Sequence, residues 1–131
     1  MYPHARIVNI DTSKALNISG VEEVITGLDV KKYSLPFVVG VKQPMEHWCL
    51  AVDKVRYVGE PVAIVVAKNR YIAEDALELV DIEYEELVPI VNISDAIKND
   101  APIIHEKVKS NIVSSRKFNY GDVEKSFLEA K

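Results

Sequence analysis

The pattern of apolar and polar residues predicts a core built around a strand and a helix in residues 55–80. Residues 61–67 (PVAIVVA) form a continuous apolar run rich in Val and Ile, which is typical of a strand covered on both faces. After a break at Lys68-Asn69, apolar residues return at helical spacing with acidic residues on the opposite face. The side chains expected to be largely buried are Ile64, Val66, Ile72, Ala76, Leu79 and Ile82.

Shorter periodic segments flank this centre on both sides. The segments predicted to be strands are 6–11, 21–26, 37–41 with a bulge at Gly40, 81–87 and 112–118. The segments predicted to be short helices are 13–16, 27–30, 95–98 and the stretch after a capping Asp122. Residues 31–36 are expected to form a loop. Residues 50–52 and 55–57 flank Asp53-Lys54, which suggests a tight hairpin or a sharp kink.

Alternation is clearest in residues 81–87, where Ile82 and Tyr84 are expected to point inward and the glutamates outward. The surrounding stretch 70–90 carries seven acidic residues and one basic residue, Arg70. Such a run is typical of a solvated face, and an acidic docking face is the alternative.

Size and charge narrow the class of protein. A chain of 131 residues predicts one domain, and a net charge of −4 argues against nucleic acid and anionic membranes as partners. Its single cysteine, Cys49, excludes an internal disulfide and favours a reducing compartment. No apolar run reaches the ~20 residues that a membrane span needs, and no secretory signal is evident. We therefore expect a cytoplasmic protein without a membrane span.

Two short stretches carry residues with chemical potential. His47 and Cys49 would share one face of a strand, but a structural metal site needs about four ligands and a nucleophilic thiol needs a base. We therefore expect Cys49 to pack as a small apolar residue. Glu60 lies between Gly59 and Pro61, where it is expected to accept a backbone amide hydrogen bond rather than to act in acid–base catalysis.

Several motifs in order resemble one family, the molybdenum hydroxylases. The motif YVGEPVA (57–63) followed by AEDA (73–76) carries the similarity, together with HARIVNIDTSKALNISGVEEVITGLDV near the start, DAIKNDAPIIHE and the last helix. The resemblance extends from about His4 to Ala130. It is to the α/β-hammerhead domain that opens the large subunit of carbon monoxide dehydrogenase, aldehyde oxidase and xanthine dehydrogenase.

The resemblance implies an α+β fold with a small mixed sheet and a few short helices, formed by residues 1–131 as a single hammerhead domain. It implies a structural and docking role without catalytic, cofactor-binding or metal-binding residues in this chain. The whole enzyme would use molybdopterin, with iron–sulfur clusters and FAD in partner parts. Expected partners are the remaining domains of the large subunit and the iron–sulfur and flavin subunits. A free-standing interaction or assembly module of the same fold is the alternative.

The stretch between Lys31 and Trp48 aligns least with that family. It contains the apolar residues Leu35, Phe37, Met45 and Trp48. These side chains would either form an exposed docking surface or fold back onto the sheet of the domain.

Overall fold

A computed structural model describes residues 1–39 and 45–130 of the chain. The strands are β1 (Ala5–Asp11), β2 (Val21–Thr26), β3 (Phe37–Val39), β4 (Met45–His47), β5 (Lys54–Val55), β6 (Ala63–Ala67) and β7 (Asp81–Glu86). The helices are α1 (Ser13–Leu16), α2 (Gly27–Tyr33), α3 (Arg70–Leu77), α4 (Ile93–Ala96) and α5 (Val123–Glu129). The predicted α+β class is confirmed. The strands of the described residues form three small sheets, β5-β1-β7, β2-β6 and β3-β4, in which every pair is antiparallel.

The first sheet, β5-β1-β7, buries one face against a small apolar cluster. Ile10 lies opposite Ile82 and Ile7 opposite Tyr84, and these four side chains pack on the buried cluster. The cluster consists of Ala5, Ala51, Val55 and Val62. A bulge between Ile7 and Asn9 sets the register of β1 against β7. The predicted alternation of β7 is confirmed, since Ile82 and Tyr84 are half-buried and the glutamates are exposed.

The second sheet, β2-β6, is covered on one face by α1 and α3. Ala15, Val24 and Ala76 are its buried centre, with Ala63 and Val65 of β6 packed beside them. Asn69 begins α3, because its side chain accepts a hydrogen bond from the amide of Ile72 at 3.0 Å. This arrangement confirms the predicted order of strand, turn and amphipathic helix in residues 61–80.

The expectation that β6 is covered on both faces is wrong. Ile64 is 46% exposed and Val66 is 40% exposed, whereas Ala76 is fully buried as predicted. The reason is that the helices pack on one face of a two-stranded sheet, so alternate residues of β6 point away from the core. Leu79 is also partly exposed, because α3 ends at Leu77.

Of the two alternatives predicted at Asp53-Lys54, the tight hairpin is wrong, whereas a bend at Val52-Asp53 agrees with the sharp kink. Lys54 and Val55 pair with β1 instead, and the carbonyl of Asp53 accepts a hydrogen bond from the amide of Ile7 at 2.9 Å. The amide of Ala51 donates to the carbonyl of Pro61 at 2.7 Å. Long-range partners therefore replace the local pairing that the short apolar runs suggested.

The remaining differences lie at helix ends and in the last third of the chain. Helix α2 continues to Tyr33 through part of the predicted loop, and α4 begins at Ile93, two residues before the predicted start. No strand forms in 112–118. Helix α5 begins at Val123, directly after the predicted capping residue Asp122, whose side chain accepts a hydrogen bond from the amide of Lys125 at 3.1 Å. The predicted bulge at Gly40 lies outside the described residues.

Candidate functional site

A cleft of about 260 Å³ lies beside the first sheet. Its walls come from residues 46–48, 51–53 and 105–108, together with Lys31 of α2, Arg56 and Glu60. The 105–108 segment, which contains the buried Val108, is far from the other walls in sequence. The fold thus brings His47, which the sequence singles out, and its neighbour Trp48 into one cleft with His105.

The turn after β5 is organised by Arg56 and Glu60. The carboxylate of Glu60 accepts a hydrogen bond from the backbone amide of Arg56 at 2.5 Å, which confirms the turn role predicted for Glu60. The guanidinium of Arg56 donates to the carbonyl of Lys54 at 2.9 Å and to the carboxylate of Asp53 at 3.1 Å. Gly59 lies in the left-handed region at φ 91°, which glycine adopts without strain.

Lys54 is the most unusual charged residue of the site, since only 4% of it is exposed. Its ammonium donates to the carboxylate of Glu106 at 2.5 Å. This hydrogen bond is the main reason that the pKa of Glu106 lies below its ordinary value, and burial acts in the opposite direction. A second ion pair joins Lys107 to Glu46 at 2.6 Å, so the 105–108 segment is held to β4 and β5.

Burial is the main cause that lowers the pKa of His105, and the charges of Arg56 and Lys54 add to it. The positive charges therefore outweigh the nearby carboxylate of Glu106, whose smaller effect raises the pKa. At neutral pH the imidazole of His105 is neutral, with one nitrogen able to donate and the other able to accept a hydrogen bond.

The predicted packing of Cys49 is wrong. Cys49 is exposed, and the neighbouring Leu50 takes the buried position because β4 ends at His47 and the chain then bends. The strand geometry that would have put His47 and Cys49 on one face is therefore not formed. Within residues 1–39 and 45–130 no group of three or more His, Cys, Asp or Glu side chains is arranged to hold a metal ion.

Sequence reasoning missed Lys54, Arg56 and Glu106. Lys54 was assigned to a polar turn, because a lysine between two short apolar runs carries no signal of burial. Its partner Glu106 is 52 residues away, and only the fold brings the two together. The one local signal was the four-residue spacing from Arg56 to Glu60, which places a backbone amide and a carboxylate across a turn.

Exposed apolar side chains lie on many parts of the described surface, and three of these parts bear on a docking role. Leu35 is 90% exposed and Phe37 is 72% exposed, whereas Met45 and Trp48 are half-buried. The stretch between Lys31 and Trp48 therefore divides between the two predicted alternatives. The other two parts are Ile64 and Val66 on the outer face of β6, and helix α5, which has no buried residue.

The seven acidic residues of 70–90 are all exposed, which is compatible with the predicted solvated face and with the alternative of an acidic docking face. Two of them form ion pairs, Glu74 with Arg70 at 2.6 Å and Glu85 with Arg6 at 3.0 Å. Among the helices of the described chain, none has the length and apolar character that crossing a bilayer requires.

Comparison with known proteins gives consistent matches. Residues 1–88 match the family of the aldehyde oxidase and xanthine dehydrogenase a/b hammerhead domain. The chain is 41% identical over 114 residues to the carbon monoxide dehydrogenase large chain of Afipia carboxidovorans, covering 87% of this chain and 14% of that one. It is 38% identical over 127 residues to the nicotinate dehydrogenase large molybdopterin subunit of Eubacterium barkeri, covering 97% of this chain and 28% of that subunit.

A solved structure shows the same fold. The crystal structure of quinoline 2-oxidoreductase from Pseudomonas putida 86 superposes with a TM-score of 0.72 and 42% identity, over 76% of this chain and 13% of that one. The chain thus spans between about one seventh and about one quarter of the length of the curated relatives named above. The match over residues 1–88 and the shared fold show that the chain belongs to the aldehyde oxidase and xanthine dehydrogenase hammerhead family of the molybdenum hydroxylases.

Proposed function

We propose that this chain is the N-terminal structural and docking domain of the large subunit of a molybdopterin-dependent oxidoreductase. The whole enzyme would be of the carbon monoxide, aldehyde or xanthine dehydrogenase type, and the domain would not be catalytic by itself. The carrying observation is the outer face of β6, where Ile64 and Val66 remain exposed in a domain whose relatives are several times longer. Apolar sheet faces of this kind are normally covered by further structure.

The described residues do not fit a molybdopterin cofactor. The best-formed cleft measures about 260 Å³, which is below the range of ~300–1,000 Å³ usual for pockets that enclose ligands of such size. The residues that hold the cofactor would accordingly lie in other parts of the enzyme.

We expect two kinds of partner for the domain. The remaining domains of the large subunit would cover the outer face of β6, and the iron–sulfur and flavin parts would complete the enzyme. Such packing would bury apolar surface, and each Å² removed from water would stabilise the complex by roughly 25 cal/mol. The alternative, a free-standing interaction module, would use the same surface for a partner without molybdenum.

The proposal is tested by isolating the chain from its own cells through an affinity tag and measuring molybdenum in the complex. We expect a complex with molybdenum close to one atom per chain, and a chain without molybdenum or activity when it is purified alone. Ile64→Asp with Val66→Asp should remove the molybdenum-bearing polypeptides while the tagged chain stays folded by circular dichroism. Glu83→Gln, on the exposed face of β7, is the matched control and should leave the complex intact.

Two results would contradict the proposal in different ways. Stoichiometric metal on the chain purified alone, lost in Cys49→Ala, would place chemistry in the domain itself. A stable complex that contains no molybdenum would favour the free-standing interaction module.

A further inference from the structure

The cleft beside the first sheet contains carboxylates that are already engaged. Each of the four accepts a hydrogen bond or forms an ion pair with a group of the domain. The pairs are Glu46 with Lys107 at 2.6 Å, Asp53 with Arg56 at 3.1 Å, Glu60 with the Arg56 amide at 2.5 Å, and Glu106 with Lys54 at 2.5 Å. Three of these carboxylates are thus paired with a cation, whereas Glu60 is bonded to a neutral backbone amide.

The groups that remain unengaged are donors or cations. Across residues 1–39 and 45–130, Lys31, His47 and His105 make no side-chain hydrogen bond or ion pair, although all three line the cleft. The Nε of Arg56 is buried and also lacks a partner within these residues. A surplus of donors over acceptors in one concave site is complementary to an anion.

The local electrostatics agree with that complementarity. The pKa of His105 is lowered by burial and then by Arg56 and Lys54, whose combined influence exceeds that of Glu106. At the position of His105 the two nearby cations therefore act more strongly than the carboxylate of Glu106, and partial burial strengthens such interactions relative to open water.

The rest of the cleft wall is apolar, which narrows the class of ligand. Ala51 and Val108 are buried, and Trp48 and Val52 are half-buried around the same space. Inorganic phosphate has no apolar part to place against this wall. A carboxylate attached to a short alkyl chain would satisfy the donors and cover the wall, within the available 260 Å³.

We propose that this cleft is a binding site for a short alkyl carboxylate, with Lys31 and His105 as its principal donors. Two sources have this chemistry, a free aliphatic acid and the side chain of a glutamate presented by another segment of protein. The site does not depend on the docking role of β6, since none of the residues that line it belongs to β6.

The test is a titration of the whole chain with sodium butyrate. Binding is measured by the fluorescence of Trp48 and by the imidazole proton resonances of His105. Sodium chloride keeps the ionic strength constant, and Trp48 is the only tryptophan of the chain. We expect a saturable response to butyrate, a weaker one to inorganic phosphate and none to butylamine, which has the same chain and the opposite charge.

A matched pair of lysines locates the response in the cleft. Lys31→Gln should weaken butyrate binding about fivefold, the effect of losing one exposed ion pair. The neighbouring Lys32 is bonded to Asp29 at 2.9 Å, outside the cleft, so Lys32→Gln should leave the affinity unchanged. His105→Phe keeps a ring in the cleft without its nitrogens and should weaken binding about tenfold.

A second ligand, N-acetylglutamate amide, distinguishes the two possible sources of the carboxylate. Affinity equal to that of butyrate would assign the site to a glutamate side chain, and much weaker affinity would assign it to a free acid. A linear response to butyrate, or equal losses in Lys31→Gln and Lys32→Gln, would overturn the proposal.

Discussion

The outer faces of β7 and β6 differ in chemistry, although both strands alternate in burial. The exposed residues of β7 include Glu83 and Glu85, which are stable in water. The exposed residues of β6 are Ile64 and Val66, which are not polar at all. The outer face of β7 is therefore polar, whereas the outer face of β6 is apolar and suited to contact with further protein.

The two sheets also differ in what holds them to the rest of the domain. The first is joined to the distant 105–108 segment through the ion pair of Lys54 with Glu106. The second is held by α1, which precedes β2 in the chain, and by α3, which follows β6. The two sheets meet at Gly27, the residue directly after β2. Gly27 approaches the backbone of Ala51, which belongs to the buried cluster of the first sheet.

The largest effect should come from this junction. A Cβ atom on Gly27 would lie 2.1 Å from the carbonyl oxygen of Ala51, and the backbone there cannot move without separating the two sheets. We expect Gly27→Ala to lower the free energy of unfolding by at least about 3 kcal/mol, measured by urea denaturation. Gly59→Ala is the control: its Cβ would meet nothing within 4 Å, so only the φ of 91° is unfavourable, at about 1 kcal/mol. Equal losses in the two variants would mean that the sheets are not in contact at Gly27.

Glu106→Ala breaks the ion pair that joins the first sheet to the 105–108 segment. This change leaves the ammonium of Lys54 buried without its partner, and we expect a loss of about 3 kcal/mol in the free energy of unfolding. Lys107→Ala breaks the neighbouring exposed ion pair with Glu46 and should cost less than about 1 kcal/mol. Adding Lys54→Met to Glu106→Ala should restore most of the loss, and no recovery would contradict a buried charge as its cause.

The two faces of the second sheet can be compared directly. Val24→Ala removes buried methyl groups from the inner face and should cost about 2 kcal/mol. Because Ile64 is half-exposed, Ile64→Ala should cost less than about 1 kcal/mol, which is below the 2–5 kcal/mol that a fully covered strand would imply. If Ile64→Ala proved the costlier change in thermal or urea unfolding, the outer face would be covered within this chain.

The smallest expected effect is a pH dependence from His105. Its folded pKa lies below the ordinary value of 6.5, so the unfolded chain binds the proton more readily. The contribution of His105 to stability is therefore complete above pH 6.5 and is lost as the pH falls from there through the lower folded pKa. His105→Gln should flatten the stability curve on the acid side of pH 6.5 and leave its slope at pH 8 unchanged. A curve that is equally steep in both proteins below pH 6.5 would contradict this assignment.

Local chemistry explains which parts of the fold were predictable. The alternation of β7, the cap of α3 by Asn69 and the cap of α5 by Asp122 involve residues within four positions of one another. The turn carboxylate of Glu60 is local in the same way. Interactions at this range depend on spacing alone, and spacing is visible in the sequence.

The candidate site was largely invisible to the same reasoning. The sequence singles out His47 and Glu60, but the cations that act on His105 in the cleft are Arg56 and the buried Lys54. A lysine is ordinarily exposed, so its burial depends on a partner that the fold supplies from position 106.

By itself, the sequence determined the α+β class, the order of most elements and the family, because periodicity, capping residues and the YVGEPVA motif are local properties of the chain. Only the tertiary structure decided which face of β6 is covered, that Lys54 pairs with β1 rather than in a hairpin, and that His105 lies beside His47 in one cleft. The reason is that an apolar run reports the preference of a strand for burial, whereas the number of faces buried depends on which distant segments pack against it.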